Sequence, residues 1–394
     1  MFRIFEKEIF SMGKTFRRTR YLTWTWLLSL AMPFASTAVF GTQSSPAPTH
    51  PQLGTWDDSS IPADPAPGHV VMPEDTIPHQ RWSLDATNEP LFIALFGDSV
   101  SLATMADAPL GSPGPRYYAD FLGSIFRGSV YDFIAQKLNR QPTEEEQHML
   151  LHKFFGNMAR KRLSPYLGTE DYSLPVLIHK KTGLTPKVYN GAQMAGSYYF
   201  SQLYLDRFHE FYRRNPFHKR PDLVIVNFNG MDFMDARSPE VYQTRVKAFY
   251  QRLTQVAPLA KIVVTGLKDP IPLLTHPDRV AVPHSPVGPI KCSTLYKVVR
   301  FANNTGLYPG APQDVLDAAR ARVEVYRKIL ENELHAVHND REQYPDFHGE
   351  VHYVDPRQDD GMTADMIAAD CIHPNQAAQK LIGEHMWNVI EPLL

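Results

Sequence analysis

The chain is poor in cysteine, has no excess of charge of either sign and contains a single long apolar run, near its N terminus. Two cysteines in 394 residues are too few for a disulfide-rich small scaffold or a four-cysteine zinc site. Forty Lys and Arg residues nearly balance 42 Asp and Glu residues, and a net charge of −2 gives no electrostatic basis for binding nucleic acid. The single apolar run excludes a multi-span membrane protein. The apolar fraction of 43% is nevertheless enough for a globular protein with a sizeable core.

Residues 1–41 have the pattern of an export signal. Basic residues cluster at positions 14–20, an apolar run follows at positions 21–40, and the small residues Ser36 and Ala38 have the spacing of a cleavage site. These three regions in this order predict a secretory signal peptide, and therefore a periplasmic or secreted protein. The alternative is an uncleaved N-terminal membrane anchor, because the run is nearly long enough to span a bilayer.

The composition changes after the export signal. Residues 42–88 are dominated by Pro, Ser, Asp and Gly without apolar periodicity, which predicts a linker or an extended arm that wraps a folded body. The body then occupies residues 89–394. Its two cysteines, Cys292 and Cys371, are open to two interpretations, one disulfide in an oxidising compartment or two ordinary thiols. Sequence alone does not place their Cα atoms within bridging distance.

Short apolar runs alternate with helical patterns along the body. The first run, LFIALF, ends in a glycine and is typical of a buried strand. Predicted strands cover residues 91–96, 187–189, 223–228, 261–265 and 351–354, and predicted helices cover residues 198–212, 241–256, 315–334 and 374–387. Strands that alternate with helices predict right-handed crossovers and a parallel sheet with helices on both faces, which is an α/β fold.

Two segments depart from this alternation. Residues 107–172 contain helical patterns at about 116–138 and 143–161, and they predict a helical insertion after the first strand. Residues 267–312 are Pro-rich and predict a long loop. Both segments follow strand ends, where α/β sheets carry their sites, so each is either a lid or specificity element or a surface decoration.

The first candidate site residue stands directly after the first predicted strand. Gly97, Asp98 and Ser99 end this strand and lead into a predicted helix, so Ser99 presents its hydroxyl and its backbone N–H at the carboxyl edge of the sheet. Asp98 has the position to fix the turn that holds Ser99. On its own, this three-residue motif favours an ordinary strand-to-helix turn.

A second block, near the C terminus, supplies an acid and a base. Asp370 and His373 are three residues apart, and Pro374 suits the first position of the helical pattern that follows. On a turn, the Asp370 carboxylate can hold the His373 imidazole in one tautomer while its other nitrogen faces outward. A nucleophilic serine needs such an acid and base. Ser99, His373 and Asp370 are therefore the candidate catalytic residues.

Taken together, the GDS block around Ser99 and the DCIHP block around His373 resemble the motifs of the SGNH (GDSL-type) hydrolases. The order of elements agrees with this family from about Leu91 to Leu394. The resemblance implies a flavodoxin-like three-layer α/β/α fold with a central parallel sheet. It also implies an exported carboxylic ester hydrolase, an esterase or lipase, in which Ser99 is the nucleophile and no metal or organic cofactor is required.

The resemblance further implies an oxyanion hole built partly from backbone N–H groups. Ser99 is expected to contribute its own N–H. The second block of the family matches VYNGAQMAGS at positions 188–197. In that block a glycine after a strand and a short loop donates its N–H, which implies Gly196 by its distance from the strand, with Gly191 as the fallback.

A side-chain amide normally completes the hole in this family, and here the sequence departs from the pattern. The third block usually reads Gly-x-Asn-Asp, but Met231 stands where the asparagine belongs. Asn229 lies two residues earlier and is the implied donor if the turn is rebuilt around Gly230. Asn227 is less favoured, because side chains alternate along a strand. Loss of one donor typically costs roughly 100- to 1,000-fold in rate.

These residues predict acyl transfer through a covalent intermediate, with a small-molecule, lipid or carbohydrate ester as substrate and no nucleic acid as partner. A lipase or lysophospholipase and a carbohydrate deacetylase are both open. An O-acyltransferase of a cell-envelope polysaccharide would use the same catalytic residues, with a sugar hydroxyl in place of water. The Met231 departure leaves a third interpretation, a binding protein on the same fold with weak catalysis. Contact with envelope polysaccharide or membrane lipid is equally open.

Overall fold

The structure is a computed structural model, and its described residues all belong to one unit, residues 78–394. It describes residues 91–104, 106–107, 143–144, 146, 148, 159–214, 220–228, 230–276, 279–283, 289–298, 304–355, 363 and 365–394. The predicted signal peptide at 1–41, the predicted arm at 42–88 and the helical pattern at 116–138 lie outside the described residues. These three therefore stay predictions.

Five parallel strands form the central sheet, as the alternation of strands and helices predicts. The strands of this sheet are β1 (Phe92–Gly97), β2 (Lys187–Asn190), β3 (Leu223–Asn227), β4 (Lys261–Thr265) and β7 (Glu350–Val354). Between β4 and β7 in the chain, β5 (Val280–Val282) and β6 (Ile290–Lys291) form a separate antiparallel hairpin. The order β2-β1-β3-β4-β7 is the flavodoxin-like order, which confirms the predicted fold class. In such sheets ligands bind outside the carboxyl ends of the strands, where the order changes direction, and here that point is beside β1.

Helices of very different lengths connect the strands. Those that the structure describes are α1 (Leu174–Thr182), α2 (Ser201–Arg214), α3 (Met231–Met234), α4 (Pro239–Val256), α5 (Ile271–Thr275), α6 (Cys292–Val298), α7 (Gln313–Asn339) and α8 (Gln376–Ile390), with 3₁₀ turns at Lys161–Leu163, Tyr198–Phe200 and Glu391–Leu393. Within the described parts of the chain, none of these helices has both the length and the apolar character needed to cross a bilayer.

The two faces of the sheet carry separate apolar clusters. Along β1, Ile93 and Leu95 belong to one cluster, and Ala94 and Phe96 belong to the other, as the period of two along a strand requires. The first cluster includes buried residues of α1 and α8, whereas the second includes buried residues of α2, α4 and α7. This arrangement is the three-layer α/β/α architecture that the family resemblance implies.

The start of α8 differs from the sequence prediction. The helix begins at Gln376 and its N-cap is Asn375, whose Oδ1 accepts the N–H of Ala378 at 3.2 Å. The prediction that Pro374 occupies the first helical position is therefore wrong, because the asparagine after it caps the helix. Pro374 instead pairs with Ile367 in an isolated antiparallel bridge.

Both inserted segments hold regular structure. The predicted helical pattern at 143–161 opens with a capping box, in which the Oγ1 of Thr143 accepts the N–H of Glu146 at 3.2 Å and Oε2 of Glu146 accepts the N–H of Thr143 at 2.9 Å. Residues 267–312 contain α5, the β5–β6 hairpin and α6, where the sequence predicts a long loop. These helices have only five and seven residues, too few to show a helical period.

Cys292 and Cys371 form a disulfide, with their Cα atoms 5.5 Å apart. The sequence leaves open whether these cysteines form a disulfide or are two ordinary thiols, and the structure has the disulfide. Cys292 is the first residue of α6, and Cys371 lies in the turn before α8. The bond therefore joins the segment between β4 and β7 to the turn that carries Asp370 and His373.

Phe249 provides a test of the core. It is fully buried, and its ring centroid is 5.8 Å from those of Phe96 and Phe228. Phe249→Ala is expected to lower the free energy of unfolding by about 3–5 kcal/mol, because the lost transfer energy and the cavity add. The control is Phe211→Ala, whose side chain is 43% exposed and whose loss should be about 1 kcal/mol or less. Urea unfolding followed by circular dichroism measures both, and equal losses would contradict this placement of the core.

Candidate active site

Gly97, Asp98 and Ser99 form a tight turn at the carboxyl end of β1. A side chain at Gly97 has no space, because a Cβ there would lie 2.2 Å from the Oγ of Ser101. The Oδ1 of Asp98 accepts the N–H of Val100 at 2.8 Å. This bond closes the turn in the way that the position of Asp98 predicts. Ser99 is thereby fixed two residues beyond the end of β1.

After Ser99 the chain makes successive turns over residues 99–104 and does not form the predicted helix. The N–H of Ala103 donates to the Val100 carbonyl at 3.0 Å, and the N–H of Thr104 donates to the Ser99 carbonyl at 3.2 Å. Ala103 has a φ of 49°, in the left-handed region, and a helix does not continue through such a residue.

Asp370 and His373 lie on the turn that precedes α8. The Oδ1 of Asp370 accepts the backbone N–H groups of Ile372 and His373, each at 3.0 Å. Its Oδ2 lies 2.5 Å from the Nδ1 of His373. Because an ionised carboxylate can only accept, the ring proton is on Nδ1, and Nε2 is left as an acceptor.

The Nε2 of His373 lies 2.6 Å from the Oγ of Ser99, although the two residues are 274 positions apart in the chain. Both residues are buried, with 9% and 7% of their surface exposed. Ser99, His373 and Asp370, which the sequence picks out as candidates, are therefore brought together in one continuous chain of hydrogen bonds. Such a chain can remove the hydroxyl proton and make the oxygen nucleophilic.

Burial and charge act in opposite directions on the pKa values of the acid and the base. Burial raises the pKa of Asp370, but the charge of His373 and the hydrogen bonds to the carboxylate lower this pKa by more, so it lies below its usual value. Burial lowers the pKa of His373, but the charge and hydrogen bond of Asp370, together with the charge of Asp98, raise it above its usual 6.5. The acid stays ionised, and the base holds a proton more tightly than a free imidazole.

The two backbone donors implied by the resemblance have different surroundings. Gly196 packs on the turn that carries Ser99, since a Cβ at this position would lie 2.4 Å from the Gly97 carbonyl oxygen. The N–H of Gly196 donates to the Gln193 carbonyl at 3.1 Å, and its oxyanion role stays a prediction. The N–H of Gly191, the fallback, donates to a carbonyl of β1 at 2.8 Å and so belongs to the sheet.

Asn227, the less favoured side-chain donor, is buried at the end of β3. Its Nδ2 donates to the Oγ of Ser101 at 2.8 Å, and its Oδ1 accepts from the Oγ1 of Thr265 at 2.5 Å. The amide therefore joins the turn after β1 to the end of β4. Asn229, the favoured donor, lies outside the described residues. Met231 is the first residue of α3.

Sequence reasoning missed the role of Asp232, which follows Met231. Asp232 is buried, and its two carboxylate oxygens accept the N–H groups of Tyr198 and Tyr199 at 2.9 and 3.1 Å. Burial raises the pKa of Asp232 to about 6, against the lowering effect of these hydrogen bonds. The carboxylate ties the loop after β3 to the turn that follows Gly196. The sequence did contain an indication of this residue, because Asp232 aligns with the aspartate that ends the third family block, Gly-x-Asn-Asp.

Comparison with protein families shows to which family the chain belongs. A family model described as GDSL-like lipase/acylhydrolase matches residues 93–386, more than half of the chain. The chain belongs to this family. It is a serine ester hydrolase, and both Ser99 and His373 lie within the matched residues. Among the described residues of this GDSL-family enzyme, no three His, Cys, Asp or Glu side chains are grouped so that they could hold a metal ion.

Solved structures of similar proteins include esterases. The chain is similar to the psychrotrophic esterase EstA from Pseudoalteromonas sp., with 12% identity over 77% of this chain and 97% of that chain and a TM-score of 0.38. It is also similar to a family 3 carbohydrate esterase from Clostridium thermocellum, with 10% identity over 77% and 97% of the two chains and a TM-score of 0.34. Comparison with curated protein sequences finds no match.

The raised pKa of His373 predicts an acid limb in the pH profile of kcat/KM. His373 must be neutral to take the Ser99 proton, so activity should rise with pH through a pKa above 6.5 and then level off. Asp370→Asn removes the charge that raises this pKa, so the limb should move to lower pH and the plateau should fall roughly 10⁴-fold.

The control for this profile is Asp365→Asn, because Asp365 is an exposed carboxylate near the same turn. Its pH profile should match that of the wild type. Initial rates of ester hydrolysis between pH 5 and 9 measure all three proteins. A limb that stays in place in Asp370→Asn would contradict the electrostatic coupling of the acid and the base.

Proposed function

We propose that this GDSL-family enzyme is an exported hydrolase that cleaves carboxylic esters through an acyl-enzyme on Ser99. The observation that carries the proposal is the hydrogen-bond chain from Ser99 through His373 to Asp370, with distances of 2.6 and 2.5 Å. A buried serine hydroxyl in contact with an oriented imidazole is the arrangement that nucleophilic catalysis requires.

The reaction proceeds in two acyl-transfer steps. The Oγ of Ser99 attacks the ester carbonyl carbon while the Nε2 of His373 takes its proton, and the same nitrogen then gives that proton to the leaving alcohol as the ester C–O bond breaks. Water, deprotonated by His373, next attacks the acyl-enzyme and releases the acid and the free Ser99 hydroxyl. Asp370 keeps the ring in the required tautomer and stabilises its protonated form.

The oxyanion of each tetrahedral intermediate is bound by the N–H of Ser99, the N–H of Gly196 and the side-chain amide of Asn229. The close packing of Gly196 on the serine turn supports its part, although its N–H must be shared with the Gln193 carbonyl. The engagement of Asn227 with Ser101 favours Asn229 over Asn227 as the side-chain donor.

Export is supported by the signal pattern of residues 1–41 and by the Cys292–Cys371 disulfide, because disulfides persist in oxidising compartments. Secretion or a periplasmic location both fit, with an N-terminal anchor as the alternative. The substrate is an ester of a lipid or a carbohydrate, and the arm at 42–88 suits contact with the cell envelope. An O-acyltransferase would use the same residues with a sugar hydroxyl as acceptor.

Ser99→Ala is the direct test of the proposed hydrolysis. The mature chain should release p-nitrophenol from acyl esters, and the variant should lose at least about 10³-fold in kcat because the nucleophile is gone. The matched control is Ser238→Ala, which removes the N-cap hydroxyl of α4 and costs only about 1 kcal/mol of stability.

Three outcomes are informative. Activity lost only in Ser99→Ala supports the serine mechanism, and the dependence on acyl length separates a deacetylase-like pocket from a lipase-like one. Acyl transfer to added sugars, measured by mass spectrometry, would favour the acyltransferase. Equal turnover by the wild type and Ser99→Ala would contradict the proposal.

Two asparagine variants test the oxyanion assignment. Asn229→Ala should lower kcat by roughly 100- to 1,000-fold with little change in KM, because one oxyanion donor is lost. Asn227→Ala should instead lower the melting temperature, because it removes the amide that donates to the buried Ser101 hydroxyl and accepts from the Thr265 hydroxyl. The reverse result, a stable Asn227→Ala with a large loss in kcat, would assign the donor role to Asn227.

A further inference from the structure

The turn that holds Asp370 and His373 contains a residue in an unfavourable backbone conformation. Cys371, between the two, has a φ of 65°, in the left-handed region that residues other than glycine seldom occupy. The turn is closed by short backbone bonds, from the N–H of Cys371 to the Ala368 carbonyl at 2.9 Å and from the N–H of Ala368 to the His373 carbonyl at 2.7 Å. A left-handed residue persists only where its surroundings hold it.

Two contacts from one helix hold Cys371 in place. Its sulfur is bonded to that of Cys292, the first residue of α6. Its carbonyl oxygen accepts the hydroxyl of Tyr296, one helical turn later in α6, at 2.9 Å. All three residues are buried, with 2% or less of their surface exposed. We call Cys292, Tyr296 and Cys371 the α6 clamp.

The clamp is itself anchored in the core. Cys292, Tyr296 and Cys371 belong to the apolar cluster that includes α4 and α7. The N–H of Cys292 donates to the Arg279 carbonyl at 2.9 Å, which attaches the start of α6 to the β5–β6 hairpin. The catalytic turn is therefore held by the packed body of the protein.

The position of this turn decides the geometry of the proposed reaction. The contacts of 2.6 Å and 2.5 Å on the two sides of the His373 ring depend on where the backbone of residues 370–373 lies. A displacement of about 1 Å in a catalytic group can cost about 100-fold in rate. Without the clamp, Cys371 is expected to leave the left-handed region and to carry its neighbours with it.

We propose that Cys292, Tyr296 and Cys371 are positioning residues, which hold Asp370 and His373 in register with Ser99 through the backbone of Cys371. The inference rests on the proposed function, because it assigns these residues a role in that same reaction. Under this proposal, Asp370 and His373 activate Ser99 fully only while Cys292 and Cys371 are joined in the disulfide. The inserted segment 267–312 then has a part in catalysis through its hold on the backbone of Cys371.

Cys292→Ala removes the covalent half of the clamp and leaves the sequence of the turn itself unchanged. Its kcat should fall roughly 100-fold while KM stays within about threefold, because the reacting groups and not the ester pocket are displaced. The acid limb of its pH profile should move to lower pH as the contact between Asp370 and His373 loosens. Tyr296→Phe keeps the ring and loses the hydroxyl, which donates to the Cys371 carbonyl at 2.9 Å and to the Leu273 carbonyl at 3.3 Å. Its kcat should fall about 3- to 10-fold.

A rescue variant separates positioning from general stability. In Cys292→Ala/Cys371→Gly the disulfide is still absent, but glycine adopts a φ of 65° without steric cost. Its kcat should recover at least about tenfold over Cys292→Ala alone. The matched control is Val323→Ala, which weakens the core within α7 away from the turn and should keep the wild-type kcat at temperatures where circular dichroism shows it folded.

A fluorophosphonate reacts with the Ser99 hydroxyl, so its labelling rate reports how well His373 and Asp370 activate that hydroxyl. This measurement does not depend on which ester is the substrate. This keeps the inference separate from the proposed function, which wild type against Ser99→Ala decides on its own. Slower labelling and lower kcat in folded Cys292→Ala, with recovery in the glycine variant, support the clamp. Wild-type labelling in Cys292→Ala, an equal loss in Val323→Ala or the absence of recovery would overturn it.

Discussion

β1 is hydrogen-bonded along both edges, to β2 on one side and to β3 on the other, and the position of the site depends on this double pairing. Gly97 is in register with Asn227 at the ends of β1 and β3. The N–H of Asp98 donates to the Asn227 carbonyl at 3.2 Å and extends the pairing by one residue. Ser99 is therefore placed by a buried ladder, and a nucleophile supported by regular structure is held more precisely than one on a free loop.

Carboxylates that are buried or nearly buried organise the loops around this ladder. Asp98, Asp232 and Asp370 each accept backbone N–H groups, and each thereby fixes one of the three segments that meet at the edge of the sheet. The Oδ2 of Asp370 also contacts the imidazole of His373. The pKa of Asp370 is accordingly lowered, whereas burial raises that of Asp232 to about 6. Aspartate thus has two roles here: Asp232 holds two loops together through backbone hydrogen bonds, and Asp370 is the ionised partner of a base.

The sequence predicts the sheet and the catalytic trio well because both depend on local signals. Five apolar runs give the five parallel strands, and GDS and DCIHP are short motifs whose spacing suits a turn. The prediction of a helix after Ser99 is wrong, because Ala103 adopts a left-handed conformation that nothing in the sequence indicates. The disulfide joins positions 79 residues apart, and only the packing of α6 against the catalytic turn selects it. The hydrogen bond from the N–H of Gly196 to the Gln193 carbonyl could not be predicted either, because it depends on the path of a loop.

The Cys292–Cys371 bond also closes a covalent ring within the chain. The ring contains α7 and β7, and it ends two residues before His373. A single break in the peptide backbone anywhere inside this ring leaves both pieces joined through sulfur. The segment that carries the base therefore remains linked to the strands that carry the nucleophile, even when the main chain between them is cut. Proteolysis inside this ring opens the main chain without releasing His373 from the molecule that holds Ser99.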